Sequence, residues 1–412
     1  MNKNDMGKTA TIPLPQHKTV DGHDDNMVGE TAKQGFSAKT PAQQAQHDAV
    51  HTVLLTVDGT DAKKDEQAII QAAEILRNGG LVAFPTETVY GLGGNALDAS
   101  AAARIYRAKG RPSDNPLIVH VANAKDAAPY CHITPLYEAL TDAFCPGPLT
   151  MILDKKPCIP DTVTGGGSTV GIRIPIDPVA HAFLQACGVP VAAPSANLSG
   201  HPSPTTAQHV IHDLFGAVDA ILCGGASQIG LESTVVKLDG EDVTILRPGG
   251  ISYEQLCDFL GRDHVHMDPT VLHRTQSDAP PLAPGMKYKH YAPRAAVTLL
   301  TGTDQDVDCA LQALASDASN GILCDEERYA LLSQSPAVVL SLGARNNPDV
   351  QAHRLFAALR QFDQTDVRHI WAPVPQKKGV GLAVYNRLMK AAGFCVVDAQ
   401  TLLQNTSEHK GV

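Results

Sequence analysis

DEQAIIQAAEILRNGGLVAFPTETVYG, residues 65–91, decides how this chain folds. Ala68, Ile69, Ala72, Ile75 and Leu76 recur every three or four residues, which puts them on one face of a helix. Gly79-Gly80 closes that helix, because glycine adopts the left-handed C-terminal conformation without a steric penalty. Leu81 to Phe84 is then a short apolar run, the pattern of a strand covered on both faces. Pro85 stops it, and the polar run Thr86-Glu87-Thr88 follows at its end. This is one α/β unit.

The unit repeats along the chain. Helices predicted at 101–108, 134–144, 178–187, 205–215 and 252–260 alternate with strands at 117–121, 149–153, 170–174, 189–193 and 220–223. Asp98 and the pair Thr134-Pro135 supply helix starts. Runs 233–238 and 243–246 flank Asp239-Gly240, a hairpin signal, so the sheet is expected to be mixed. A stretch rich in Pro, Gly, His and Tyr interrupts the rhythm at 262–294. Beyond it, strands at 297–300, 321–324, 338–342 and 367–371 alternate with helices near 305–315, 348–362 and 379–392, a smaller α/β domain of the doubly wound, Rossmann-like kind. The expected organisation is a disordered polar tail (1–50), a larger α/β domain (51–261), a linker (262–294), the second domain (295–402) and a short tail (403–412).

Composition sets limits on function. With 412 residues, 43% of them hydrophobic, the chain can bury two cores. A net charge of −10 argues against a surface that embraces nucleic acid as a whole, although a local basic cleft stays open. Nine cysteines show no metal-ligand spacing and read as small buried hydrophobes in a reducing cytoplasm. There is no apolar run of about 18 residues to span a membrane. The N-terminus also lacks the apolar segment of a secretory signal.

Chemistry concentrates in polar loops beside apolar strands. Lys109 and Arg111, in KGRPSDNPL (109–117), pair a point charge with a planar fork, the combination suited to phosphates. A basic helix end explains Lys109 alone, not the Arg-Pro-Ser-Asp-Asn-Pro that follows. Ser195 and Asn197 follow a strand in PSANLSG (194–200), where turn chemistry and ligand binding are equally good explanations. Arg173 lies inside an apolar strand and so needs a carboxylate or phosphate partner. His120, Thr88, Glu232-Ser233 and Arg247 also stand at strand ends. Together they point to one shared anion site, most simply for a nucleoside triphosphate. No Walker A, G-x-G-x-x-G or G-x-S-x-G sequence occurs.

PTETVYGLG (85–93), KGRPSDNPLIVH (109–120), STVGIRIP (168–175), APSANLSG (193–200), ESTV (232–235) and LRPG (246–249) resemble the YrdC-like domain in order and spacing. With the linker PGMKYKHYAP (284–293) and the second α/β domain, the chain is similar to the long, two-domain threonylcarbamoyl-AMP synthases. The resemblance covers about residues 50 to 400 and implies a mixed twisted sheet joined to a smaller Rossmann-like domain. It implies an ATP-dependent nucleotidyltransferase that makes L-threonylcarbamoyladenylate and pyrophosphate from L-threonine, bicarbonate and ATP. The product would feed tRNA threonylcarbamoylation through a separate transfer machinery, with at most weak tRNA contact. Lys109, Arg111, Ser195 and Asn197 match the family's signature tetrad; Thr88, His120, Arg173, Ala193 and Ser233 match threonine positions. Lys109, Arg111, Asn115, Thr169, Ser195, Ser203, Arg247 and Tyr291 match nucleotide positions, Tyr291 being preferred to Tyr288. Magnesium is implied with ATP, bridging phosphates without a protein cage. The linker is expected to fold over the cleft as a flap. The rival readings are an RNA-binding module using the same cationic cleft without turnover, and a Ser/Lys amide hydrolase built on Ser195 and Lys109.

Overall fold

Eleven strands form the larger sheet: β1 (Val53–Thr56), β2 (Val82–Phe84), β3 (Gly91–Asn95), β4 (Ile118–His120), β5 (Leu149–Asp154), β6 (Thr169–Arg173), β7 (Val191–Ala193), β8 (Ala220–Cys223), β9 (Thr234–Asp239), β10 (Asp242–Arg247) and β11 (Val265–Met267). Their order is β1-β8-β2-β3-β7-β4-β6-β5-β9-β10-β11. The computed structural model describes residues 50–274, 281–286 and 290–408. The tail expected at 1–50 falls almost wholly outside the described residues, as does Tyr288.

The sheet is mixed. β4 and β6 run parallel with His120 opposite Arg173, while β7 runs antiparallel to β4 with Ala193 opposite Ile118. β9 and β10 form the antiparallel hairpin expected around Asp239-Gly240. Both faces are covered, as the continuous apolar runs imply: Leu81 and Ala83 face one core with Ile105 and Met151, and Val82 and Phe84 face another with Leu76 and Phe183. β3 is glycine-rich because it passes close under its neighbours. A Cβ on Gly93 would stand 2.8 Å from Val191 Cγ1 and 3.0 Å from the Phe84 ring.

The second sheet is wholly parallel, in the order β14-β13-β15-β12-β16, from β12 (Ala296–Thr301), β13 (Asn320–Cys324), β14 (Val338–Ser341), β15 (His369–Pro373) and β16 (Val396–Asp398). At the carboxyl ends of its strands, where such sheets take ligands, Arg328 donates to Asp304, Asp308 and Asp325 at 2.8, 2.6 and 2.7 Å. The helix Ala399–Glu408 runs on through residues read as the start of a tail, because Leu402 and Leu403 pack against the second sheet's outer core. The interrupted stretch likewise carries a 3-10 turn, Arg262–His264, and then β11, which pairs with β10 over Val265–Met267.

Both sheets belong to one compact unit. Arg360 reaches from the helix Pro348–Phe362 to grip Asp213 with two nitrogens, at 3.0 and 2.7 Å, and the Pro202 carbonyl at 2.6 Å. Among the described residues no helix is long and apolar enough to cross a membrane.

Gly249 sits where the turn after β10 presses on the backbone of Glu232, Ser233 and Thr234, leaving no room for a Cβ. Gly249→Ala is expected to destabilise the protein by about 3 kcal/mol, the upper end for overpacking. Urea unfolding would read this as a lower midpoint at unchanged m.

Candidate active site

Separate segments close around one cavity of about 670 Å³, counting its open mouth. Lys109, Arg111, His120, Arg173, Ala193, Ser195, Asn197, Ser233, Arg247 and Tyr291 all line it. The cavity crosses the sheet rather than following one edge. β4 and β7 are three residues long and antiparallel, so Ile118 and His120, from opposite ends of β4, both reach it.

The helix Ala99–Lys109 delivers Lys109 at its last position and is closed by Gly110 at φ 60°. The Lys109 ammonium donates to the carbonyls of Ser195, at 2.5 Å, and Asn197, which ties the helix to the turn after β7. In that turn the Ser195 hydroxyl donates to Asn197 Oδ1 at 2.5 Å. Asn197 Nδ2 donates to the carbonyls of Leu198 and His201. Asn197 therefore shapes the turn, while the Ser195 oxygen keeps lone pairs for a ligand. Arg111 donates to the Asn115 and Pro116 carbonyls at 3.2 and 3.0 Å. Arg247 donates to the Ser233 carbonyl at 3.2 and 3.0 Å and to the Ser233 hydroxyl at 3.2 Å.

Two buried cations, Lys109 and Arg247, and the half-buried Arg111 are thus held by neutral oxygens. Burial drives the Lys109 ammonium well below its ordinary pKa, with Arg111 adding to the effect. It also lowers Arg111 to about 10, and Arg247 likewise falls. An anion entering here would relieve the strain of uncompensated charge.

The remaining groups suit an amino acid. Arg173 Nη2 donates to Glu87 Oε1 at 2.8 Å and Thr88 Oγ1 at 2.7 Å, and its buried Nε has no hydrogen-bond partner among the described residues. Burial and then the Arg173 charge push His120 down to about 3, so its imidazole is neutral. Nδ1 lies 3.1 Å from the Ile118 carbonyl, which makes it the donor and leaves Nε2 an acceptor. The Ser233 hydroxyl is held by Thr150 Oγ1 at 2.8 Å.

Pro284, Gly285, His290 and Tyr291 line the cavity from the linker side. Ala292 N–H donates to the Gly200 carbonyl at 2.8 Å, Arg247 reaches the Pro284 carbonyl at 3.4 Å, and Lys390 reaches the Met286 carbonyl at 2.8 Å. Tyr291 has φ 65°, a conformation costly for a side chain of its size. It is held there by stacking on Phe356, with centroids 5.2 Å apart.

Two family models match the chain. One, described as telomere recombination and covering the Sua5, YciO and YrdC proteins, matches residues 74–249. The other, the threonylcarbamoyl-AMP synthase C-terminal domain, matches residues 251–393. The threonylcarbamoyl-AMP synthase of Bacillus subtilis is 44% identical over 83% of this chain and 98% of its own length. That of Pyrococcus abyssi is 41% identical over 81% and 96%. This chain belongs to the threonylcarbamoyl-AMP synthase family. The crystal structure of Pyrococcus abyssi Sua5 complexed with L-threonine superposes with a TM-score of 0.77 at 40% identity, covering 84% of this chain and 99% of the other.

Four residues singled out by sequence do not line the cavity. Thr88 stands behind Arg173, and Ser203 donates to Glu232 Oε1 at 2.5 Å. Asn115 is 1% exposed, and its side-chain amide has no partner among the described residues. Thr169 lies at the other end of β6 from Arg173, opposite Asp154. Sequence reading also passed over Arg387, the most deeply buried charge beside the site. Its signal was a helix, Gly381–Ala391, that is buried at every position and must therefore bury and pair its arginine.

No group of three or more His, Cys, Asp or Glu side chains that could hold a metal occurs among the described residues. Glu232, the carboxylate lining the cavity, is committed to Ser203 and Arg387. The donor set does not fit a metal held by the protein.

His120 and His290 both have pKa values of about 3 when folded, through burial first and neighbouring cations second. The unfolded chain binds these protons near 6.5, so stability falls as pH drops from about 6.5 towards 3. His120→Gln is expected to remove up to about 1.4 kcal/mol per pH unit of that slope. Urea titrations at pH 4.5, 5.5 and 7 would measure it.

Proposed function

We propose that the chain joins L-threonine, carbon dioxide from bicarbonate, and ATP into L-threonylcarbamoyladenylate, releasing pyrophosphate. The observation that carries this reading is the grouping of Lys109, Arg111 and Arg247, held by neutral oxygens, beside Arg173, neutral His120 and Ser233 in one hollow. Relatives named as synthases at 41–44% identity support it, and they weigh against an RNA-binding module without turnover.

Arg173 takes the threonine carboxylate, and neutral His120 accepts a hydrogen bond, not a proton, from the threonine. The free amine adds to carbon dioxide, forming the C–N bond of a carbamate, and its proton goes to the hydroxide that bicarbonate leaves on giving up carbon dioxide, so that water departs. A carbamate oxygen then attacks the α-phosphorus of ATP, and the bond to the bridging oxygen breaks as pyrophosphate leaves. Lys109, Arg111 and Arg247 meet charge growing on phosphate oxygens, so the catalytic effect is orientation and neutralisation. Ser195 faces the reacting group from the turn that Asn197 shapes. Asn115, Thr169 and Ser203, which do not line the cavity, would bear on the nucleotide only indirectly, Ser203 through Glu232, and Thr88 holds Arg173. Magnesium, for which the described residues offer no cage, would enter with ATP and supply further charge neutralisation at the phosphates. Tyr291 and the linker cover the labile product against water. The adenylate then passes to a transfer machinery that modifies tRNA in the cytoplasm.

Pyrophosphate release from ATP should require both threonine and bicarbonate; release without either would sink the reading. Lys109→Ala and Arg111→Ala should each slow it by at least about 100-fold. Arg173→Met should raise the threonine KM by about tenfold or more while sparing that for ATP.

A further inference from the structure

The helix Gly381–Ala391 lies in the layer of the second sheet, yet Arg387 on it reaches the cavity wall of the first. Arg387 is fully buried. Its Nε donates to Glu232 Oε2 at 2.7 Å, its Nη2 to the Pro248 carbonyl at 3.0 Å, and its Nη1 to Asn386 Oδ1 at 2.8 Å. The guanidinium carbon lies 5.2 Å from the centroid of the Tyr291 ring. One side chain thus holds three segments: the turn before β9, the turn after β10 and the linker.

Glu232 is the only carboxylate among the described residues that line the cavity. Burial by itself would keep it protonated, but Arg387 and Arg247 hold it ionised. Left alone, that negative charge would face the same hollow as Lys109, Arg111 and Arg247 and would repel a triphosphate.

We propose that Arg387 is a positioning residue for the nucleotide: it cancels Glu232 and fixes Tyr291 over the cleft. ATP then meets the three cations without an opposing charge. The inference rests on the proposed synthase activity and adds to it a task for the second domain, which reaches Glu232 in the cavity wall through this arginine. The main threonine partners, Arg173 and His120, lie on β6 and β4, which Arg387 does not touch.

The test measures KM for ATP and for threonine in pyrophosphate release. Arg387→Met should raise the ATP KM about tenfold or more, as for a buried charge left unpaired, with the threonine KM within about twofold. Adding Glu232→Gln to that variant should recover most of the loss, since no lone charge remains. A merely structural contribution would instead lower the fraction of active protein, reducing kcat and leaving both KM values in place. If Arg387→Met does not fold, Arg387→Gln serves, because its amide can still donate a hydrogen bond to Glu232 but carries no charge to cancel it. An unchanged ATP KM, or equal rises in both, would overturn the inference alone. A wild-type protein that releases no threonine-dependent pyrophosphate would overturn the functional reading and this inference with it.

Discussion

Positive charge anchored by neutral oxygens, with no carboxylate among the described residues hydrogen-bonded to it, is the constraint on which the site depends. Lys109, Arg111 and Arg247 are anchored by carbonyl and hydroxyl oxygens, which fix their positions but leave their charge intact. Such an arrangement is unfavourable in the empty protein, as the lowered pKa values of all three show. The rest of the fold carries that burden. Two packed cores and a covered sheet supply the stability that lets a few residues stay frustrated until a ligand arrives.

The second sheet shows the opposite arrangement. Its crevice at the carboxyl ends of the strands also contains arginines, but Arg328 donates to three aspartates there, and Arg345 to two of the same three. Helices that open on Asp304 and on Glu326-Glu327 further disfavour phosphate at that end. Both sheets have a place suited to an anion, and only the first keeps its charge available.

What the second domain gives to the first is fixation. Arg360 on Asp213, Arg387 on Glu232 and Phe356 beneath Tyr291 lock the linker side of the cavity from outside the larger sheet. Tyr291 stays in a left-handed backbone conformation only because its surroundings determine it from several directions.

The sequence by itself determined the alternation of elements and the mixed sheet, and it singled out ten residues that line the cavity. Apolar runs such as Leu149 to Leu153 and the Asp239-Gly240 turn carry their structure locally, through period and turn chemistry. β3 was hidden because its glycines answer to Phe84 and Val191, not to strand propensity. β11, with three residues, drew its strand state from β10. Tertiary structure alone decided which charges stay available. Glu232 and Asp304 are both carboxylates near arginines, and no local pattern tells which arginine from a distant segment will neutralise which carboxylate. That pairing follows from how the two sheets dock, because Coulomb energy depends on distance in space and not along the chain.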